Sequence, residues 1–330
     1  YYGLSSIIIY INDTRIASIY TSEKINSSSV VVDVSSYPGE CVLNVTIVAF
    51  DSVGNRYAKT VFAYRDIVAP RLRFVCPENN SFINSSSVFV RWDTSDRFGI
   101  GNIYIRIDNE SWVYVGGYNY TFENVSEGPH TICLKAYDLA GNSNASQITI
   151  AVDLEPPVLQ YIIPVNNTWH NTSEIRIEWS FSDNVSEVKE YYIRINHGGW
   201  IYLGPSTSYD ASLSSGIHEI EIKALDYAGN FIIVTLIVKI DVDPPTISVT
   251  YPPDGAALNE TEITVRWDAS DQHSGLSHYT INYNGTWITV YSKSYTVDFG
   301  SEGYFTITTV SYTHLRAHET EADLVCRLLL

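Results

Sequence analysis

The chain has no methionine, four cysteines, and 20 Lys and Arg against 37 Asp and Glu, giving a formal net charge of −17 over 330 residues. So few and so scattered basic residues exclude nucleic acid as a partner, because a phosphate backbone needs clustered Lys and Arg. The acid excess suits solubility or divalent-cation binding instead. No apolar run is long enough for a membrane helix: Phe231–Ile240 reaches about half of the ~20 residues required, and Lys239 interrupts it. That run reads as a strand. The cysteines show neither CxxC nor metal-finger spacing. The chain opens Tyr-Tyr-Gly without a Met, so we read it as a piece of a longer protein and draw nothing from the lack of a leader or anchor.

What is present is repetition. Trp92, Trp179 and Trp267 stand 87 and 88 residues apart, each followed by Ser-Asp at Ser95-Asp96, Ser182-Asp183 and Ser270-Asp271. Asp66, Asp153 and Asp241 each precede Pro70, Pro157 and Pro245, with Pro77, Pro164 and Pro252 further on. Asp51-Ser-Val-Gly-Asn55, Asp138-Leu-Ala-Gly-Asn142 and Asp226-Tyr-Ala-Gly-Asn230 share one motif. A fixed period means one structural unit copied head to tail. The Asp-to-Pro segments place boundaries at 1–65 (partial), 66–153, 154–241 and 242–309 (truncated).

Within each unit the apolar residues alternate. Val88, Val90 and Trp92 share one phase, as do Ile175, Ile177, Trp179 and Phe181, and Ile263, Val265 and Trp267. Period two predicts strands with one buried face, and it makes the three Trp core anchors. A strand over 102–108 leads to a hairpin, signalled by Asn284-Gly285 and by His197-Gly198 at the same place in the preceding unit. A Gly-led strand carries Ile132, Leu134 and Ala136, and a closing strand covers 147–152 or 232–240. About seven strands in under 90 residues, with no helical period, predict an all-β fold of tandem Ig-like or fibronectin III-like sandwiches in an elongated array.

Asp-X-X-Pro-Pro, Trp-X-X-Ser-Asp, Gly-X-His-X-Ile and Ala-X-Asp-X-Ala-Gly-Asn together resemble the tandem bacterial and archaeal Ig-like repeats of surface proteins. The resemblance covers 66–309 well and 1–65 loosely, since the first unit lacks the Trp strand and places Pro38-Gly39 before Asp51 at altered spacing. Residues 310–330 stand apart. VSYTHLRAHET and LVCRLLL resemble the translation of a transposase-based sequencing adapter and its primer end, so we set them aside with His314, His318 and Cys326. By register, the next motif Asp falls at position 313, just past that break.

Fourteen of the twenty-two Asn stand in Asn-X-Ser/Thr sequons: Asn12, Asn26, Asn44, Asn79, Asn84, Asn109, Asn119, Asn124, Asn144, Asn166, Asn171, Asn184, Asn259 and Asn284. That excess points to N-linked glycan and an exported protein, although Asn and Ser also co-occur in polar turns. Asn-rich loops with many Tyr resemble archaeal cell-envelope proteins.

Catalytic groupings are sparse. A hydrolase needs a nucleophile held by a base and an orienting acid, or a carboxylate pair across a cleft. His130 and His218 occupy one repeated position and read as structural, while His273 and His278 flank a Ser-Gly turn in one unit only. The cysteines Cys41, Cys76 and Cys133 do not recur, with Ile163 and Tyr251 replacing Cys76 and Glu221 replacing Cys133. Cys76 and Cys133 both fall in expected strands, but Cys133 alternates onto the polar face and a bridge needs Cα atoms within about 7 Å.

The sharpest site is a cation, Ca²⁺, at each junction, where alternating strands bring three recurrent acids to one end of the sandwich. The sets are Asp66, Asp96 and Asp138; Asp153, Asp183 and Asp226; and Asp241 with Asp271, with Glu155 and Asp243 as further oxygens at the latter two. The same acids are also explained by turn chemistry alone. The function expected is a non-catalytic cell-surface stalk, envelope-layer or adhesion element, with surface proteins or glycans as partners. The alternative is a spacer beside an exported peptidase or glycosidase whose catalytic domain lies outside these residues. Glycan binding by Trp112, Trp200 and Trp287 is a third reading, which holds only if their rings are exposed.

Overall fold

The computed structural model describes residues 4–21, 29–283, 285–300, 304–313 and 321–329. Asn26, Asn284, His314 and His318 lie outside them, as does the side chain of Cys326. The described residues form strands and turns, and no helix is long and apolar enough to cross a membrane. Two compact units divide the chain, Tyr1–Leu154 and Glu155–Leu330.

The first unit opens with β1 (Leu4–Ile11), β2 (Thr14–Tyr20), β3 (Cys41–Asp51) and β4 (Arg56–Arg65), one antiparallel sheet in the order β2-β1-β3-β4. It continues with β5 (Arg71–Cys76), β6 (Ser81–Ile83), β7 (Val88–Ser95), β8 (Ile100–Ile107), β9 (Val113–Val115), β10 (Asn119–Phe122), β11 (Gly128–Asp138) and β12 (Ser143–Val152). These make two sheets, β10-β7-β5 and β6-β12-β11-β8-β9. Alternation along β7 buries Val88, Val90 and Trp92 against Ile105, Ile132 and Leu134 of the larger sheet. The sheets close on one apolar core, and Trp92 is fully buried.

The second unit builds the same sandwich from β13 (Val158–Ile163), β14 (Thr168–His170), β15 (Glu174–Ser182), β16 (Val188–Ile195), β17 (Ile201–Gly204), β18 (Ser208–Ser212), β19 (Gly216–Asp226) and β20 (Phe231–Ile240). A further pair of sheets comes from β21 (Thr246–Tyr251), β22 (Glu262–Ser270), β23 (Leu276–Tyr283), β24 (Thr286–Val290), β25 (Ser294–Asp298), β26 (Tyr304–Thr313) and β27 (Glu321–Leu329). Trp179 and Trp267 sit in their cores as Trp92 does, 0% and 1% exposed.

Details depart from expectation in two places. Each complete sandwich has eight strands rather than about seven, because a short segment, β6 or β14, adds in parallel to the closing strand. The hairpin after β16 turns one residue early: Asn196 and His197 take the positive φ values, 50° and 57°, and Gly198 N–H closes on the Ile195 carbonyl at 3.0 Å. A tight hairpin turn needs two left-handed residues, and Asn accepts that conformation more readily than most. Cys76 and Cys133, whose pairing the sequence left open, are both free, as is Cys41.

Strand β26 runs on through residues 310–313. Thr313 pairs with Leu276 as Asp138 pairs with Ile100 and Asp226 with Val188, so it holds the register of the motif Asp. Thr309 and Ser311 fall where the earlier copies bury Leu134 and Ala136, or Ile222 and Ala224. Their hydroxyls are buried without a hydrogen-bond partner. That is a poor fit, since an unpaired buried hydroxyl keeps its desolvation cost.

Candidate functional site

Three acids of the first unit meet where β4 hands over to β5. Asp66 follows β4, Asp96 opens the turn after β7, and Asp138 ends β11; one oxygen of each lies within 4.8 Å of the others. Each acid serves its own turn first. Asp96 Oδ1 accepts the N–H groups of Phe98 and Gly99 at 2.8 and 3.1 Å, and Asp66 Oδ1 accepts that of Val68 at 3.3 Å. Asp138 Oδ1 accepts those of Ala140 and Asn142, both at 2.9 Å. This is side-chain-to-backbone turn chemistry.

The remaining oxygens are what turn chemistry does not use. Asp138 Oδ2 accepts Nδ2 of Asn142 at 2.8 Å, and the same Nδ2 reaches the Asp66 carbonyl at 3.2 Å. Asp66 Oδ2 is enclosed without a hydrogen-bond partner. A bulge helps to aim the set: one extra residue on β8 between the pairs Ala136–Ile103 and Asp138–Ile100 breaks the ladder beside Asp138, which is buried at 4% exposure. Gly101 sits in that bulge, and a Cβ there would lie 2.7 Å from the Asp138 carbonyl oxygen.

A fourth acid joins these three, and sequence reasoning missed it. Glu40 precedes β3, with its carboxylate 4.0 Å from Arg97 Nη1. Burial first, then hydrogen bonding to and repulsion by Asp66, raise its carboxyl above the ordinary glutamate range, against the pull of Arg97. In its protonated form Glu40 would be a donor to Asp66. Its only trace in the sequence is the Pro38-Gly39 turn just before it. The oxygens of Asp66, Asp96 and Asp138 are hard donors within the span of one ion bonded at about 2.3–2.6 Å, so these three fit Ca²⁺, with Glu40 beside them.

In the second unit one oxygen of Asp183 lies within 4.8 Å of one of Asp226. Asp183 Oδ1 accepts the N–H groups of Val185 and Ser186 at 3.0 and 2.8 Å; Asp226 Oδ1 accepts those of Gly229 and Asn230 at 2.6 and 2.8 Å. Asp226 is fully buried and its Oδ2 has no hydrogen-bond partner. Asp153 closes the first unit, buried, its N–H on the Ile83 carbonyl at 2.9 Å, and Glu155 begins the second. Asp241 and Asp271 both address the turn at 271–275: Asp241 Oδ2 accepts Ser274 N–H at 3.0 Å, and Asp271 Oδ1 accepts Gly275 N–H at 2.7 Å. Thr313 stands in the place of their third acid, and Asp243 faces His273 Nε2 at 3.7 Å rather than joining them.

The repeated histidines are clips. His130 Nδ1 meets Asp108 Oδ2 at 2.8 Å and its Nε2 meets the Ser126 carbonyl at 2.7 Å; His218 bonds Asn196 Nδ2 and the Ser214 carbonyl at 3.0 and 2.8 Å. Burial works to raise the Asp108 carboxyl, but the bonds from His130 and Thr131 N–H outweigh it and hold it low. Ser126 Oγ is 3.5 Å from Nε2, which is already engaged by the carbonyl, so the row Asp108-His130-Ser126 fastens a loop rather than activating a hydroxyl.

The outer Trp rings are exposed: Trp112 at 41%, Trp200 at 37% and Trp287 at 53%. Two of them carry a guanidinium, Arg106 Cζ at 4.7 Å from the Trp112 ring centre and Arg194 Cζ at 4.5 Å from that of Trp200.

Residues 245–313 match the bacterial Ig domain family. No curated protein matches the chain in sequence. Among solved structures, the fibronectin(III)-like modules of Clostridium thermocellum CbhA are similar at 12% identity and a TM-score of 0.37, over 52% of this chain and 94% of that one. A tetra-tandem repeat from the extending region of a large adhesion protein is similar at 15% identity and a TM-score of 0.33, over 98% and 92%. The three N-terminal domains of the bacteriophage RB49 Highly Immunogenic Outer Capsid protein are similar at 9% identity and a TM-score of 0.41, over 79% and 97%. The chain is therefore a tandem of Ig-like, fibronectin III-like β-sandwich repeats, of which residues 245–313 match a bacterial Ig domain.

Proposed function

We propose that this chain is a non-catalytic part of an exported surface protein, in which Ig-like repeats serve as a stalk, envelope-layer or adhesion element. The observation that carries the reading is repetition. The buried Trp, the acid-bearing turns and the sandwich itself recur together, whereas a catalytic site is a single arrangement. N-linked glycan belongs to the same proposal: of the twelve sequon asparagines among the described residues, all but Asn171 are exposed. The decisive experiment is to extend the reading frame in both directions from its source DNA. Further repeats ending in an anchor support the reading, and a fused peptidase or glycosidase domain replaces it with that of an enzyme spacer.

The repeat joints, on this reading, hold Ca²⁺. Asp66, Asp96 and Asp138 supply the oxygens at the first, with Glu40 beside Asp66. A bound ion neutralises carboxylates that otherwise repel, and it stabilises the folded chain by mass action, about 2.7 kcal/mol at a hundredfold excess over Kd. Thermal melting in millimolar CaCl₂ against chelator measures this, and identical curves would sink the cation reading while leaving the surface role standing.

A further inference from the structure

We propose that the outward face of the sheet β6-β12-β11-β8-β9 binds a carboxylate-bearing saccharide, with Arg106 as the carboxylate fork. On this face Tyr104 and Arg106 of β8 stand opposite Lys135 and Cys133 of β11. Arg106 lies over Trp112, yet its Nε is buried without a hydrogen-bond partner, and it makes no ion pair among the described residues. A buried guanidinium N–H left unpaired is costly and calls for an acceptor.

The next repeat shows what that acceptor looks like. Arg194 rests on Trp200 in the same way, but there Glu221 occupies the register of Cys133. Its carboxylate takes Nε at 2.5 Å and Nη2 at 2.7 Å, the two-pronged geometry that guanidinium and carboxylate share. The 66–153 repeat thus keeps the fork and lacks the carboxylate, so the acceptor that completes it comes from a ligand.

The surroundings specify the rest of that ligand. Tyr104, Trp112, Tyr137 and Lys135 line a shallow pocket of about 160 Å³. Lys135 Nζ lies 4.7 Å from the Tyr137 ring centre, and the Tyr104 and Tyr137 rings stand edge to face at 6.1 Å. The pocket is too small for a drug-sized molecule and suits a single ring, with aromatic walls for the C–H faces of a pyranose. Lys135 on its wall, and Arg106 against Trp112 beside it, complement an acid on that ring. An acidic peptide is disfavoured, because a glutamate or aspartate side chain offers no ring face to the aromatic walls of this pocket.

Isothermal calorimetry of the full chain with trigalacturonic acid, in reducing buffer at low salt, tests this. Maltotriose and hexaglutamate serve as the neutral and peptide probes. We expect one site for the uronate and none for maltotriose, with Arg106→Gln weakening binding at least about tenfold. Cys133→Glu, which gives Arg106 the partner that Arg194 already has, is expected to do the same. The reciprocal Glu221→Cys should raise the stoichiometry to two, an arm that does not depend on how well Cys133→Glu folds. No heat with millimolar trigalacturonate, equal binding of maltotriose, undiminished binding by Arg106→Gln or Cys133→Glu, or binding of hexaglutamate in place of the uronate would each overturn the proposal.

Discussion

At Glu40, burial and the neighbouring Asp66 both favour the protonated carboxyl, so its pKa is raised on folding. The stability this contributes is complete below the ordinary glutamate pKa and is lost as pH rises through the folded value. In chelator, Glu40→Gln should therefore raise the melting temperature near neutral pH and leave it unchanged in acid; a lower melting temperature at neutrality would refute the account. Ser311 offers a second single-residue measurement. Its hydroxyl is buried and unpaired where two other copies carry Ala, so Ser311→Ala should stabilise the second unit by about 1 kcal/mol in denaturant unfolding. These sites differ in legibility. The core Trp residues were readable because period-two alternation assigns a face to every residue of a strand. Glu40 was not, because it meets Asp66 just beyond the β3–β4 ladder, past the pair Cys41–Arg65, and a pairing between distant strands leaves no local pattern.

The strands themselves were largely readable, and their ends were less so. Asp-X-Ala-Gly-Asn specifies its turn through hydrogen bonds within five residues, so both the motif and its geometry are local. Asp138→Ala removes three such bonds and is expected to cost about 1–3 kcal/mol with chelator present, which separates the turn's own energy from any cation. The bulge opposite Asp138 was invisible, since an extra residue shows only against its partner strand. Gly101 marks it. Gly101→Ala forces a Cβ against the Asp138 carbonyl, so we expect partial unfolding of this repeat first, seen as lost amide protection along β8 and β11. The short parallel strands β6 and β14 escaped notice because three residues hold too little pattern.

Over the whole chain, periodicity exposed the repeat and its acids, because copies can be compared with one another in a single sequence. The same comparison explains what it missed: Cys133 and Glu221 looked like an absent bridge, whereas the structure makes them an absent and a present partner for arginine. For the joints, Asp66→Asn keeps an oxygen for Val68 N–H but removes the charge. It should abolish most of the calcium-dependent rise in melting temperature at little cost in chelator; a full calcium response in this variant would place the ion elsewhere. One practical consequence follows from where Asp66 lies. It belongs to neither flanking strand, standing between Arg65 and Arg71. A repeat excised at the edge of its first strand would keep its whole core, melt like a complete domain, and still be missing an acid of its own joint. Measurements on isolated sandwiches would then report the bricks without the mortar.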